Sequence, residues 1–323
     1  MRRSFLLFVA VAVLPLISVA QNIRKEVRLA EGWRFSLENA QMKADGVQIF
    51  HGLTGELPIG LKKSGIKGIV TIHDLIFMRH PEYYNWIDVK IYEWKFRQTL
   101  KEADRIIAIS ECTKRDIIEL GGISGDNIDV IYQSCNPRFF SSPDSHPSSL
   151  PPHLSSLPRR YMLCVGTIEE RKNLMLAMRS LAHLPEDIHL VAVGKQTKYA
   201  AQVEAEAEKL GLKHRLHMLS GVSDVDLHTI YSLAEVFVYP SRYEGFGIPP
   251  LEALSCGSKI ILAKAASLPE IYGDAAHYID PDNSNVDLES LLSQPVADAK
   301  TVLEKYTYDN AAHQLYDLLK AYI

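Results

Sequence analysis

A chain of 323 residues, 47% hydrophobic and 23% charged, has the length of about two domains, each with its own core. Its formal net charge of −4, with no basic stripe, argues against nonspecific nucleic-acid binding. Cys112, Cys135, Cys164 and Cys256 stand far apart with no CxxC pair, which argues against a disulfide framework and against zinc.

The chain opens with Arg2-Arg3, about 15 apolar residues and a small-x-small site at Ser18-Val19-Ala20. That pattern is signal-peptide-like over 1–20, and its apolar run is shorter than the roughly 20 residues that span a bilayer. Residues 21–45 read as an unrelated leader joined to the rest near 41–46. Within it, Leu29-Ala-Glu-Gly-Trp33-Arg-Phe-Ser-Leu37 resembles the start of a secreted family 2 glycoside hydrolase, so a chimeric chain is expected.

From residue 46 the pattern changes to strands alternating with helices. Gly68-Ile-Val-Thr-Ile-His73-Asp74 is a β-branched strand ending in His-Asp, and Asp104-Arg-Ile-Ile-Ala-Ile-Ser110 is another strand closing on a helix N-cap. The region 46–140 has room for three or four strands, a partial first domain. Between 141 and 158 there are seven Ser and five Pro in 18 positions, which predicts a linker over 141–160. A second unit, 161–323, follows. Its strands are Tyr161-Met-Leu-Cys-Val-Gly166, a run over 188–193 entering Gly194-Lys195, one near 215–218 entering Ser220-Gly221-Val222, and Ala234-Glu-Val-Phe-Val-Tyr239. An amphipathic run over 174–184 separates the first two, and a closing helix is expected over 301–323. This alternation predicts an α/β chain with parallel sheets, whose ligands collect beyond the carboxyl ends of the strands.

Two segments of the second unit carry chemistry. In Gly166-Thr-Ile-Glu-Glu-Arg171-Lys172-Asn173 a fork-shaped and a compact cation are adjacent at a strand end and suit a diphosphate, although alone they also suit a solvated surface. In Ser241-Arg-Tyr-Glu244-Gly245-Phe246-Gly247-Ile-Pro-Pro-Leu-Glu252, two carboxylates flank two glycines and a Pro-Pro that opens a helix, which Gly257 ends. Helix N-termini favour phosphate, and glycines let the main chain approach it. Asp280-Pro-Asp282 spells a metal-binding Asp-x-Asp but reads as turn chemistry, so no metal is expected.

These motifs, over about 46–323, resemble the retaining glycosyltransferases of family 4 (glycosyl transferases group 1) with the GT-B fold. The resemblance implies two Rossmann-like domains, the first truncated and the second complete. It also implies transfer of a hexose from a nucleoside diphosphate sugar to a glycan or lipid-linked acceptor. Mannose is the weakly favoured sugar, no cofactor or metal is needed, and peripheral membrane association is a further expectation. The implied donor-binding residues are Gly166, Arg171, Lys172, Lys195, Val222, Glu244, Gly245, Phe246, Gly247 and Glu252. Arg171 and Lys172 would hold the diphosphate, Val222 the base, Glu252 the ribose and Glu244 the hexose. His73 and Glu244 would be catalytic, with Glu56 a structural or acceptor-side residue. A cytoplasmic transferase fits the donor, whereas residues 1–20 argue for export. Two other readings stay open: a donor-binding remnant without turnover, and an exported carbohydrate-active protein.

Overall fold

The computed structural model describes residues 42–140, 151–283, 285 and 287–322. The leader readings over 1–41 and the first half of the expected linker, 141–150, lie outside them. The chain divides into two compact units, one running to Gln133 and resuming at Tyr306–Ile323, the other Ser134–Lys305. The division therefore falls before the Pro/Ser stretch, and the closing helix, expected in the second unit, groups with the first.

The first unit holds a parallel sheet in the order β1-β2-β3-β4: Ile49–Gly52, Lys67–Ile72, Arg105–Ala108 and Ile128–Val130. Side chains alternate across a strand, so the β-branched runs supply both faces. Ile49, Ile69 and Ile107 point to the side where Leu319 of the helix Tyr308–Lys320 packs. Val70, Ile72, Ile106 and Ala108 point to the opposite core with Leu61, Phe96 and Ile117. Ser110 caps the helix Glu111–Gly121 by accepting from the Thr113 N–H at 3.0 Å. Asp104 ties two strand starts together by accepting from the Gly68 N–H at 2.9 Å.

The second unit is a six-stranded parallel sheet in the order β10-β9-β8-β5-β6-β7. Its strands are β5 Arg160–Val165, β6 Ile188–Val193, β7 Leu216–Leu219, β8 Val236–Tyr239, β9 Ile260–Ala263 and β10 His277–Ile279. The chain starts at β5, steps outward to β6 and β7, then returns to the other flank of β5 as β8. The order therefore reverses between β5 and β8, and a crevice opens at such a switch beyond the strand ends. Cys164 is buried between these two strands and donates its thiol proton to the Val238 carbonyl at 3.0 Å. All four cysteines are buried, unbridged thiols.

Candidate functional site

The loops that leave β5 and β8 meet at this switch. After β5 the chain turns through Gly166 and a short 3₁₀ segment, Glu170–Lys172, and Asn173 takes a left-handed φ of 56° before the helix Leu174–Ser180. Asn173 is buried, and its amide donates to the Pro240 and Pro281 carbonyls at 3.3 and 2.8 Å, which fastens the β5 loop to those after β8 and β10. That short polar side chain is what makes the left-handed position tolerable. A Cβ on Gly194, after β6, would lie 1.9 Å from the Gly166 carbonyl oxygen, so only glycine lets these two strand ends approach.

Glu244 is buried at the centre of the meeting point. One of its oxygens, Oε1, accepts from Arg171 Nη1 at 2.9 Å, Lys172 Nζ at 2.5 Å, Tyr239 Oη at 3.0 Å and Ser241 Oγ at 2.6 Å. Lys172 also donates to Tyr239 Oη at 2.6 Å, and Arg171 to the Tyr243 carbonyl at 2.8 Å and to Glu169 at 2.7 Å. Burial alone would raise the pKa of Glu244. The charges of Lys172 and Arg171, with the hydrogen bonds from Lys172 and Ser241, overcome it and hold the carboxyl below the ordinary range. Expected to act on different parts of a ligand, Arg171, Lys172 and Glu244 here form one ion cluster.

The Glu244 loop is braced from behind. Ser267 donates to the Glu244 carbonyl at 2.9 Å, and Tyr272 donates to the Gly247 carbonyl. Gly247 has φ 89°, and a Cβ there would come within 2.7 Å of Leu268. Phe246 is buried, and Pro249 and Pro250 lie in the first turn of the helix Ile248–Ser255. Glu252, one turn further, is half-buried and accepts from Tyr231 Oη at 2.9 Å. Burial raises its pKa to about 7; the Tyr231 hydrogen bond opposes the shift and Asp224 adds to it.

Beside the cluster, a cleft of about 700 Å³ is lined by Gly166, Thr167, Gly194, Lys195, Ser220 and Val222, among others. Three expected donor residues, Gly166, Lys195 and Val222, thus share one cavity. A smaller hollow lined by Gly166, Thr167, Lys172 and Tyr239 adjoins it. Sequence reading missed Tyr239, Ser241, Asn173 and Gly194. Tyr239 and Ser241 flank Pro240 immediately before Glu244, so their proximity was the available signal.

His73 belongs to the first unit, just past the end of β2. Its Nε2 lies 2.9 Å from the Leu53 carbonyl, which can only accept, so Nε2 carries the proton; Nδ1 then accepts from the Gln133 amide at 3.1 Å. Nearby, His51 contacts Thr71 Oγ1 at 2.9 Å, and burial followed by the His73 charge pushes its pKa down to about 4. Glu56 pairs with Lys95 at 2.9 Å, bracing the helix Trp86–Glu102. In the second unit, Asp280 accepts from the Asp282 N–H at 2.9 Å, a local turn, while Asp282 pairs with Arg242.

Two parallel-sheet α/β units of this kind, the second with its crevice at the switch, define the GT-B architecture. Residues 149–309 match the family described as glycosyl transferases group 1, and residues 9–139 match glycosyltransferase family 4. The second match begins inside the stretch read as signal-peptide-like, 1–20, and runs through the stretch read as an unrelated leader, 21–45. The chain therefore belongs among the glycosyltransferases of the GT-B fold. It is 31% identical to O-antigen chain mannosyltransferase B of Escherichia coli over 242 residues, 73% of this chain and 62% of that protein. It is 25% identical to O-antigen chain mannosyltransferase RfbU of Salmonella typhimurium over 75% of this chain and 66% of the relative. It thus spans less than two thirds of the length of these relatives. Among solved structures, HepE of Anabaena in complex with UDP superposes with a TM-score of 0.72 at 17% identity, covering 88% of this chain and 82% of that one. Sucrose-phosphate synthase of Thermosynechococcus elongatus gives 0.72 at 18% identity, covering 88% and 76%.

Proposed function

We propose that the protein transfers a hexose, with mannose favoured, from a nucleoside diphosphate sugar to a glycan or lipid-linked acceptor, with retention of configuration. The observation that carries this reading is the convergence, at the switch between β5 and β8, of Arg171, Lys172 and Glu244 beside a cleft lined by Gly166, Lys195 and Val222. The base and ribose would lie in the cleft toward Val222 and Glu252, and the diphosphate against Arg171 and Lys172. Lys172 spends two of its ammonium protons on Tyr239 and Glu244, and a phosphate oxygen would take the third. Fixed cations in a partly buried site stabilise the charge that grows on the departing diphosphate, so this chemistry asks for no metal and no further cofactor. Glu244 keeps those cations in place and, through its loop, borders the hexose. With the acceptor entering on the face the diphosphate leaves, no protein nucleophile is needed. His73, protonated on Nε2, is the acceptor-side residue of this reading.

The relatives named as mannosyltransferases support the sugar, and the family's donor chemistry supports the leaving group. Incubation with GDP-mannose and a mannose-ended glycan tests the proposal. An α-linked product from the α-configured donor, formed equally well in chelator, is expected. A β-linked product overturns retention, transfer only from another donor overturns the sugar, and transfer abolished by chelator overturns metal independence.

A further inference from the structure

Ligands of a parallel sheet collect beyond the carboxyl ends of its strands, and in the first unit two imidazoles stand there. His51 lies in β1 and His73 just past the end of β2. The two strands pair in parallel with His51 opposite Ile69. Side chains alternate across a strand, so His51 and Thr71 share the face on which Ile49 and Ile69 meet Leu319, one step nearer the carboxyl end. Their side chains touch, with His51 Nε2 lying 2.9 Å from Thr71 Oγ1.

After His51 the chain doubles back. A Cβ on Gly52 would lie 2.1 Å from the Glu56 carbonyl oxygen, so only glycine lets the loop close here. This loop carries the Leu53 carbonyl that accepts from His73 Nε2 at 2.9 Å, while the Gln133 amide serves Nδ1 at 3.1 Å. Both nitrogens of His73 are therefore engaged inside the protein, and the residue holds the loop.

His51 differs. Thr71 serves one of its nitrogens; Nδ1 has no partner among the described residues, yet it is not sealed from solvent. Burial, followed by the charge of His73, pushes the pKa of the ring down to about 4, so the ring is uncharged near neutral pH. An uncharged imidazole offers one donor and one acceptor. If Thr71 donates to Nε2, Nδ1 carries the proton and donates outward; if Nε2 donates to Thr71, Nδ1 accepts. A hydroxyl group satisfies either tautomer because it both donates and accepts. A phosphate satisfies one tautomer alone and meets no positive charge on this ring.

We infer that His51 binds the acceptor, its open ring nitrogen pairing with a hydroxyl of an uncharged sugar while Thr71 holds the ring in place. The inference rests on the transferase reading and adds to it the chemistry of the acceptor: the sugar that receives the hexose carries no phosphate. His51 is then an acceptor-binding residue and Thr71 a positioning residue.

Initial rates of transfer from GDP-mannose to a mannose-ended glycan, with the glycan varied at saturating donor, test this in the parent, His51→Phe, His51→Asn and Thr71→Val proteins. Loss of one uncharged hydrogen bond should raise the acceptor KM about three- to tenfold in His51→Phe, with GDP affinity and thermal midpoint kept. His51→Asn, whose amide also donates and accepts, should lie nearer the parent, and Thr71→Val, which keeps the ring but frees it, should fall between the parent and His51→Phe. An acceptor KM equal to the parent's in folded His51→Phe overturns the inference, as does equal damage from His51→Phe and His51→Asn, or a preference for a phosphorylated form of the same glycan. Should His51→Phe lose its cooperative unfolding, Thr71→Val decides: a raised acceptor KM supports the inference and the parent's value overturns it. A parent that binds GDP but transfers to no glycan overturns the transferase reading and the inference with it.

Discussion

Glu244 and Glu252 are eight positions apart on the same loop and helix, yet their surroundings drive them in opposite directions. Glu244 is buried with Lys172, Arg171, Tyr239 and Ser241 on one oxygen, and its carboxyl stays below the ordinary range. Glu252 has the Tyr231 hydroxyl and the repulsion of Asp224, and burial lifts it to about 7. The contrast separates a charged residue that holds the ion cluster together from one poised to change protonation beside Tyr231. Burial acts on both, and the neighbouring cations decide the outcome.

The largest way to break the comparison is Glu244→Gln. Removing one member of a buried ion cluster strands the others, so about 3 kcal/mol or more of unfolding free energy should be lost in urea titrations. Glu252→Gln at neutral pH should not destabilise. Equal losses from the two variants would show that the cations do not depend on Glu244.

Backbone geometry gives the next effect. Gly194→Ala places a methyl against the Gly166 carbonyl and should cost about 1–3 kcal/mol by forcing apart the strand ends that line the cleft. Unchanged stability together with unchanged GDP affinity would mean that the loops yield freely there, and that the side-chain cluster alone shapes the site.

Dependence on pH sharpens the contrast further. Glu252 holds its proton more tightly folded than unfolded, so between its ordinary value near 4.5 and about 7 the folded state binds more protons and stability falls as pH rises. Glu244 behaves oppositely: its contribution is complete above the ordinary carboxylate range and is lost as pH falls through its lowered folded value. Unfolding free energies measured across roughly pH 4–8 should fall less steeply on the alkaline side in Glu252→Gln. An unaltered slope would refute the raised pKa.

The smallest effect concerns His73. Gln133→Leu removes the donor to Nδ1 without touching the Leu53 contact, so the nitrogen-15 shifts of the ring should move toward a mixture of tautomers while the fold is kept. Shifts identical to the parent would show that Leu53 alone fixes the proton.

Much of the fold was legible because its signals are local. The β-branched strand 67–72, the cap at Ser110, the run 188–193 and the Pro-Pro helix start all depend on neighbours in sequence. The candidate site was legible only as residue types, since an adjacent cation pair at a strand end suits a solvated surface as well as a diphosphate. Its wiring was not. Arg171 and Glu244 are 73 positions apart, and only the return of β8 to the flank of β5 brings them together. The same holds for the helix Tyr308–Lys320, whose apolar face fits either sheet until Leu319 is seen against Ile49, Ile69 and Ile107. Gln133 gave no signal at all, because a lone glutamine after a strand has no preferred partner.

Calorimetric titration of GDP and UDP into the parent, Arg171→Ala and Lys172→Ala proteins tests the central claim, that the cluster at the β5–β8 switch receives a nucleoside diphosphate. One of the two nucleotides should bind the parent, and each variant that keeps a cooperative unfolding transition should bind it about ten- to a hundredfold more weakly, as expected for one charge-assisted phosphate contact. Undiminished affinity in both folded variants would contradict the account.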